Sequence, residues 1–195
     1  MWIGLELGKH RNGATICAQC MINFREFSLQ FDPTPLLTQV IDHPELWNID
    51  DSWISNKPKS AAIYDVDNLI LRFNKGSQWN REAFSILSHA QTIIFDLMRA
   101  IPAEHLGKIL ITRLRPGVSI PPHIDHMPPG VPCYYQRYQI PLQAATGVMF
   151  YCGDENLYME PGKTYWFNNQ LLHSVTNNSN TDRISMLADI RPFTP

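Results

Sequence analysis

The sequence predicts a mainly β fold with flanking helices, a sandwich or jelly-roll barrel backed by one long helix. Three observations carry this. From residue 106 onward, short segments rich in β-branched and aromatic residues follow one another with little but turns between them. Gly- and Pro-containing turn signals separate those segments at the spacing hairpins need. Ahead of them, residues 80–101 repeat apolar side chains at the helical period, enough to cover one face of a sheet.

Taken in order, EFSLQF (26–31) alternates like a half-buried strand. Pro35 opens a short helical pattern, PLLTQVIDH, and Pro44 ends it. NLILRF (68–73) reads as a second strand. In NREAFSILSHAQTIIFDLMRAI (80–101), Asn80 can cap the helix and Glu82 suits its first turn. Phe84, Leu87, Ile94, Leu97 and Met98 recur along one face, and Pro102 stops the helix. The strands expected next are KILITRLR (108–115), YYQRYQIPL (134–142), GVMFYC (147–152), NLYME (156–160), KTYWFN (163–168), LHSVTN (172–177) and RISMLADI (183–190). Gly153-Asp154-Glu155 and Pro161-Gly162 are turns, and Asp154 and Glu155 are assigned to turn chemistry.

At 195 residues the chain is read as one domain. Residues 1–105 supply supporting strands and helices, and 106–192 the barrel core. Hydrophobic residues make up 44% and charged ones 17%, a globular composition. A formal charge of −2 gives no electrostatic footprint for nucleic acid or an anionic membrane. The opening MWIGLELGKHRNG lacks a signal-peptide pattern, and no apolar run approaches the length of a membrane span, so a cytoplasmic protein is expected. Of the four cysteines (Cys17, Cys20, Cys133 and Cys152), the first two form a C-x-x-C without a second pair to complete a zinc site. They sit in the apolar run ATICAQCMINF and are read as packing residues.

The barrel segment also holds His123-Ile124-Asp125 and, fifty residues on, His173. Two imidazoles and a carboxylate on one face of a metal leave three positions open, the facial arrangement of non-haem Fe(II) oxygenases. H-x-D suits it because residues i and i+2 of an extended strand point the same way. His126 is a rival ligand, but its side chain would point to the other strand face. Taken alone, H-x-D is common by chance. It is sharpened by LLHSVTNNSNTDRISML, in which Arg183 follows His173 by ten residues across an Asn- and Ser-rich reversal. Two adjacent strands would then bring a metal ligand and a guanidinium together, and Arg can fork onto a carboxylate with two parallel hydrogen bonds. Trp166 and Phe167 are expected in the core, and His10, His43, His89 and His105 have no assigned partner.

On these residues the segment from about 106 to 192 resembles the aspartyl/asparaginyl β-hydroxylase family of Fe(II)/2-oxoglutarate-dependent dioxygenases. The resemblance runs through ITRLRPGVSIPPHIDH, RYQIPL and GKTYWFNNQLLHSVTNNSNTDR, with a weaker echo in PELWN (44–48). It implies a double-stranded β-helix, a jelly-roll, cupin-like core, using Fe(II), 2-oxoglutarate as co-substrate, and O2. His123 and His173 would ligate iron, and Arg183 would hold the far carboxylate of 2-oxoglutarate with Thr112 helping that grip. Arg137 falls at a family arginine that meets substrate or co-substrate, and Gln139 stands beside it where many relatives have His. Asp125 supplies an acidic ligand that the membrane-anchored animal enzymes lack and that small bacterial hydroxylases of free amino acids possess. The expected substrate is therefore an amino acid, free or as an Asp- or Asn-type residue in a peptide or protein. Two other classes stay open from the residues alone. A cupin-like metal-dependent isomerase or hydrolase would not need Arg183 and would ignore 2-oxoglutarate. A catalytically inactive binding module would tend to lose a ligand, and here all three are present.

Overall fold

Alternation along the last strand, Arg183–Pro192, sets the layering. Its Ile184, Met186, Ala188 and Ile190 join a core with the helical residues Leu36, Val40, Ile94 and Leu97. The residues between them, Arg183, Ser185, Leu187 and Asp189, therefore face the other way, because successive side chains of a strand point to opposite faces. One face of the strand packs helices, and the other carries polar groups inward.

The computed structural model describes residues 23–50, 65–73, 80–125 and 135–193. In chain order the elements are β1 (Phe24–Gln30), α1 (Thr34–Asp42), a 3-10 turn (Pro44–Leu46), β2 (Asp67–Arg72), α2 (Glu82–Ile86), α3 (Ser88–Ala100), β3 (Ala103–Leu114), β4 (Ser119–His123), β5 (Gln136–Gln143), β6 (Val148–Cys152), β7 (Glu155–Leu157), β8 (Lys163–Phe167), β9 (His173–Asn177) and β10 (Arg183–Pro192). The strands form a six-stranded sheet in the order β1-β8-β5-β10-β3-β2 and a four-stranded sheet in the order β4-β9-β6-β7. Every pairing between named strands is antiparallel. Phe24, Leu114, Tyr165 and Phe167 of the large sheet pack against Phe150, Cys152 and Val175 of the small one, making a second core between the sheets. This is the jelly-roll sandwich expected from the strand pattern, with helices on the outer face of the large sheet.

Two elements differ from expectation. The helix predicted over 80–101 is two helices, broken at Leu87 (φ −85°, ψ 64°), a conformation close to an inverse γ-turn. Periodicity cannot reveal the break, because Leu87 stays fully buried and its neighbours remain on the core face. Polar side chains absorb its cost. The Gln39 amide donates to Ser88 Oγ (3.0 Å) and accepts from the His89 N–H (3.1 Å), while Gln91 donates to the Phe84 carbonyl (2.6 Å). Asn80 does not cap; it lies one residue further out, and its Oδ1 accepts from Arg72 (2.6 Å). The second difference is β4, not expected as a separate strand because SIPPH carries two prolines. It lies at the edge of the small sheet, where one proline can face away from the ladder, and the pairing slips between Ile120 and His123, across both prolines.

The turns follow the sequence. Gly153 (φ 59°) and Gly162 (φ 82°) adopt left-handed conformations, and a Cβ at Gly162 would lie 2.5 Å from the Phe31 carbonyl oxygen. Asp154 in the β6–β7 turn, and Glu155, which opens β7 and is not a turn residue as the sequence suggested, accept from the side-chain and backbone nitrogens of Asn23. In the PELWN segment, the ring of Trp47 lies under the Arg113 guanidinium (4.7 Å). Cys152 is buried, and burial pushes its thiol up to about 11. Cys17, Cys20, Cys133, His10 and His126 lie outside the described residues. Among the described residues no helix is long and apolar enough to cross a membrane.

Candidate active site

Pairing of β4 with β9 sets His123 directly opposite His173. Their ring centroids are 4.3 Å apart. Asp125 joins them from just beyond the end of β4 rather than from the strand itself, so strand parity is not what aims it. Instead Asn169 holds it twice: the Asp125 N–H donates to the Asn169 carbonyl (3.4 Å), and Asn169 Nδ2 donates to Asp125 Oδ2 (3.3 Å). One ligand atom from each of His123, Asp125 and His173 lies within 4.8 Å of the others. These three form the metal-competent cluster found among the described residues.

The imidazoles are prepared as ligands. His123 Nδ1 lies 2.9 Å from the Pro121 carbonyl, and His173 Nδ1 lies 2.9 Å from the Leu171 carbonyl. A carbonyl only accepts, so each Nδ1 carries the proton and each Nε2 keeps its lone pair for a cation. His173 is walled by Phe167 (centroids 5.0 Å) and Phe150 (6.3 Å, nearly parallel), and burial lowers its pKa, favouring the neutral ring. Burial works against charge on Asp125, yet the guanidinium of Arg137, with Lys108 and His173 behind it, holds that carboxyl down at about 2. Two imidazole nitrogens and a carboxylate suit Fe(II).

Arg183 does not lie on a strand adjacent to that of His173, as the spacing suggested: β9 belongs to the small sheet, whereas Arg183 opens β10 of the large sheet, where it is only 3% exposed. Its Nη2 donates to Gln139 Oε1 (3.3 Å), which also accepts from Ser185 Oγ (2.7 Å). Among the described residues no carboxylate pairs with it, and burial depresses its pKa to about 10. An uncompensated buried cation is costly, and a ligand carboxylate reaching the guanidinium would relieve that cost. The donor set thus fits a dicarboxylate co-substrate as well as a metal.

The other anticipated residues are also inside. Thr112 is buried opposite Ser185, and its hydroxyl donates to the Ser185 carbonyl (3.4 Å). Arg137 and Gln139 share a face of β5, but the Arg137 guanidinium is already engaged. Its Nε and Nη2 donate to Asp189 Oδ1 (2.7 Å) and Oδ2 (3.0 Å), and its Nη1 donates to Asp125 Oδ2. Phe167 is a core residue against His173, and Trp166 packs on the helical side. His43, His89 and His105 stand apart from the cluster, on Glu45, Gln39 and Tyr135 respectively.

Four residues near the site escaped sequence reasoning: Lys108, Asn169, Ser185 and Asp189. For Ser185 and Asp189 a signal existed. In RISMLADI they share the parity of Arg183, and an Asp amid apolar residues on a central strand requires a buried partner. For Asn169, in a non-repetitive turn, there was none.

Residues 67–192 match the family model described as Aspartyl/Asparaginyl beta-hydroxylase. No curated protein matches the sequence. Among solved structures, the chain is similar to a prolyl hydroxylase from Trichoplax adhaerens in complex with a hypoxia inducible factor peptide fragment. That likeness has a TM-score of 0.59 at 10% identity, over 87% of this chain and 84% of that one. It is also similar to the viral collagen prolyl hydroxylase of Paramecium Bursaria Chlorella virus-1 in its 2OG complex, with a TM-score of 0.54 at 12% identity over 91% and 99%. At such identities these likenesses speak for the shared jelly-roll fold. The family match covers well over half of the chain, and on it the protein belongs to the aspartyl/asparaginyl β-hydroxylase family of Fe(II)- and 2-oxoglutarate-dependent dioxygenases.

Proposed function

We propose that the protein hydroxylates an unactivated C–H bond of an amino-acid residue, with Fe(II) held by His123, Asp125 and His173 and 2-oxoglutarate held by Arg183. One observation carries the reading. A cluster of three ligands whose atoms lie within 4.8 Å of one another, with its histidines on the small sheet, is accompanied on the large sheet by a buried guanidinium that lacks a carboxylate partner among the described residues. An isomerase or hydrolase on this barrel would need the first feature and not the second.

The chemistry supplied by Fe(II) with 2-oxoglutarate and O2, when bound, is hydroxylation of a C–H bond with release of succinate and CO2. The chain's part is binding, orientation and water exclusion. His123 and His173 present Nε2 because their Nδ1 protons are spoken for. Asp125 is ionised and anchored by Arg137 and Asn169, so it offers a fixed negative charge. Arg183 takes the far carboxylate, while Gln139, itself steadied by Ser185, keeps the guanidinium from turning. Phe150 and Phe167 form an apolar floor that shields His173 from water.

A residue within a peptide is the substrate form this reading favours. Ile124 and Leu172, each adjacent in sequence to a ligand, are 42% and 54% exposed. Such an apolar rim suits a longer partner better than a free amino acid enclosed by polar groups. The Trichoplax enzyme is a peptide-complexed relative in fold. The test is succinate release measured beside hydroxylated product, across free amino acids and Asp- or Asn-containing peptides. Tight coupling on a peptide supports the proposal. Turnover that ignores 2-oxoglutarate sinks it in favour of the isomerase or hydrolase reading.

A further inference from the structure

Behind the metal cluster, β5 and β10 place Arg137 directly opposite Asp189. Asp189 grips the Nε–Nη2 edge of the guanidinium with both oxygens, at 2.7 and 3.0 Å. Only Nη1 remains directed at Asp125. Lys108 Nζ lies 3.6 Å from Asp189 Oδ2 on the other side. The four side chains balance, two carboxylates against two cations, and all are at least largely removed from solvent, at 11–21% exposed.

The backbone is built around this arrangement. Between Ala188 and Ile190 the β10–β3 pairing slips: Ala188 pairs with Ile109, and Ile190 with Leu106. Two residues of β3, Gly107 and Lys108, therefore stand against Asp189 alone, the count of a β-bulge, a device that re-aims side chains beside functional sites. Gly107 is required there. A Cβ on it would lie 3.0 Å from the Asp189 carbonyl oxygen and 2.7 Å from the Tyr135 ring.

We infer that Asp189 is a positioning residue for the metal ligand Asp125, acting through Arg137. An arginine beside a carboxylate ligand is double-edged. One N–H fixes the carboxylate's orientation, but the full fork would neutralise it and compete with a divalent cation for its oxygens. Asp189 occupies the Nε–Nη2 fork, so the contact with Asp125 is made through Nη1 alone. A carboxylate has lone pairs for about four partners, so Asp125 keeps capacity for a metal after accepting from Arg137 and Asn169.

This inference rests on the reading of His123, Asp125 and His173 as metal ligands, and the experiment separates the two. Co(II) is titrated into the purified full chain, and affinity and the cobalt absorption spectrum are recorded without co-substrate or turnover. Wild type should bind one Co(II) per chain; failure to do so overturns the ligand reading itself. If wild type binds, Asp189→Asn should weaken binding by about 10–100-fold, the usual scale for an outer partner of a ligand, and alter the spectrum. Removing the competing guanidinium as well, in Asp189→Asn with Arg137→Met, should recover part of that loss. A general structural defect would deepen it instead. Asp189→Glu, which keeps the charge, should stay within about threefold of wild type and serves as the test where the Asn variant does not fold. Unchanged affinity and spectrum in Asp189→Asn overturn the inference. So does a double variant weaker than Asp189→Asn alone, or Asp189→Glu falling tenfold or more.

Discussion

Replacing Arg183 by Met should make the ligand-free protein more stable and its ligand response vanish. The guanidinium is buried at 3% exposure, and burial brings its pKa from 12.5 down to about 10. At 1.36 kcal/mol for each tenfold change, holding that charge inside costs the folded state about 3 kcal/mol. The sign is fixed by protonation. At pH 7 folded and unfolded chains both carry the proton, so the whole cost falls on the folded state, and it would ease only as pH rises from about 10 toward 12.5. Met fills much of the same volume without charge. What is lost is the hydrogen bond to Gln139, worth about 1 kcal/mol, and Gln139 Oε1 still accepts from Ser185. The net gain is about 2 kcal/mol, or roughly 4–8 °C in Tm for a chain of this size. Co(II) with 2-oxoglutarate at 100 times its Kd should stabilise wild type by a further ~2.7 kcal/mol beyond the metal alone. The variant should show no such increment. Thermal unfolding with and without 2-oxoglutarate therefore gives a crossing pattern: the variant melts higher without the ligand and loses its advantage with it. A variant that melts below wild type in the absence of ligand would refute the reasoning, because Arg183 would then be compensated inside the protein. A variant still stabilised by 2-oxoglutarate would move the carboxylate contact elsewhere.

Three further outcomes follow from the geometry. His123→Ala and His173→Ala should each weaken Fe(II) binding in anaerobic titrations, and the double variant should abolish it; tight binding by the double variant would disprove the ligand set. Gly107→Ala should lower stability by about 1–3 kcal/mol in chemical denaturation, because its Cβ meets the Tyr135 ring and the Asp189 carbonyl, and a neutral effect would mean the bulge is slack. Gln39→Ala should cost about 0.5–2 kcal/mol, since it removes the acceptor for the His89 N–H at the start of α3. If urea unfolding shows no loss, the break at Leu87 is stabilised by burial alone.

What the sequence made legible, and what it did not, divides along a physical line. Strands of the sandwich were readable because each has one face against helices or the opposite sheet, so apolar side chains recur at period two, as Ile184, Met186, Ala188 and Ile190 do. The candidate ligands were readable only in combination, because H-x-D alone is common by chance and the run LLHSVTNNSNTDRISML, with Arg183 ten residues beyond His173, singled it out. The adjacent strands expected for His173 and Arg183 do not form, since β9 lies in the small sheet and β10 in the large one. The helix break at Leu87 was hidden because burial, which makes the pattern, survives the break, and the side chains that permit it come from Gln39 on another helix. β4 was hidden because its prolines argue against a ladder, and that objection is removed by its position at the sheet edge together with the slip in its pairing across Pro121 and Pro122.

Arg137 is the most instructive residue. Alternation with Gln139 correctly turned it inward, and an inward arginine near a metal invites a substrate carboxylate as partner. Nothing in RYQIPL discloses that the partner is Asp189, fifty-two residues away, brought opposite by a β5–β10 register that strand patterns alone do not specify. The same register places Arg137 between two carboxylates, one a candidate metal ligand and one not. A charge on a central strand can be read from sequence as buried, and therefore as paired. With whom it pairs is set by topology, and in this protein topology pairs Arg137 with Asp189 and Asp125.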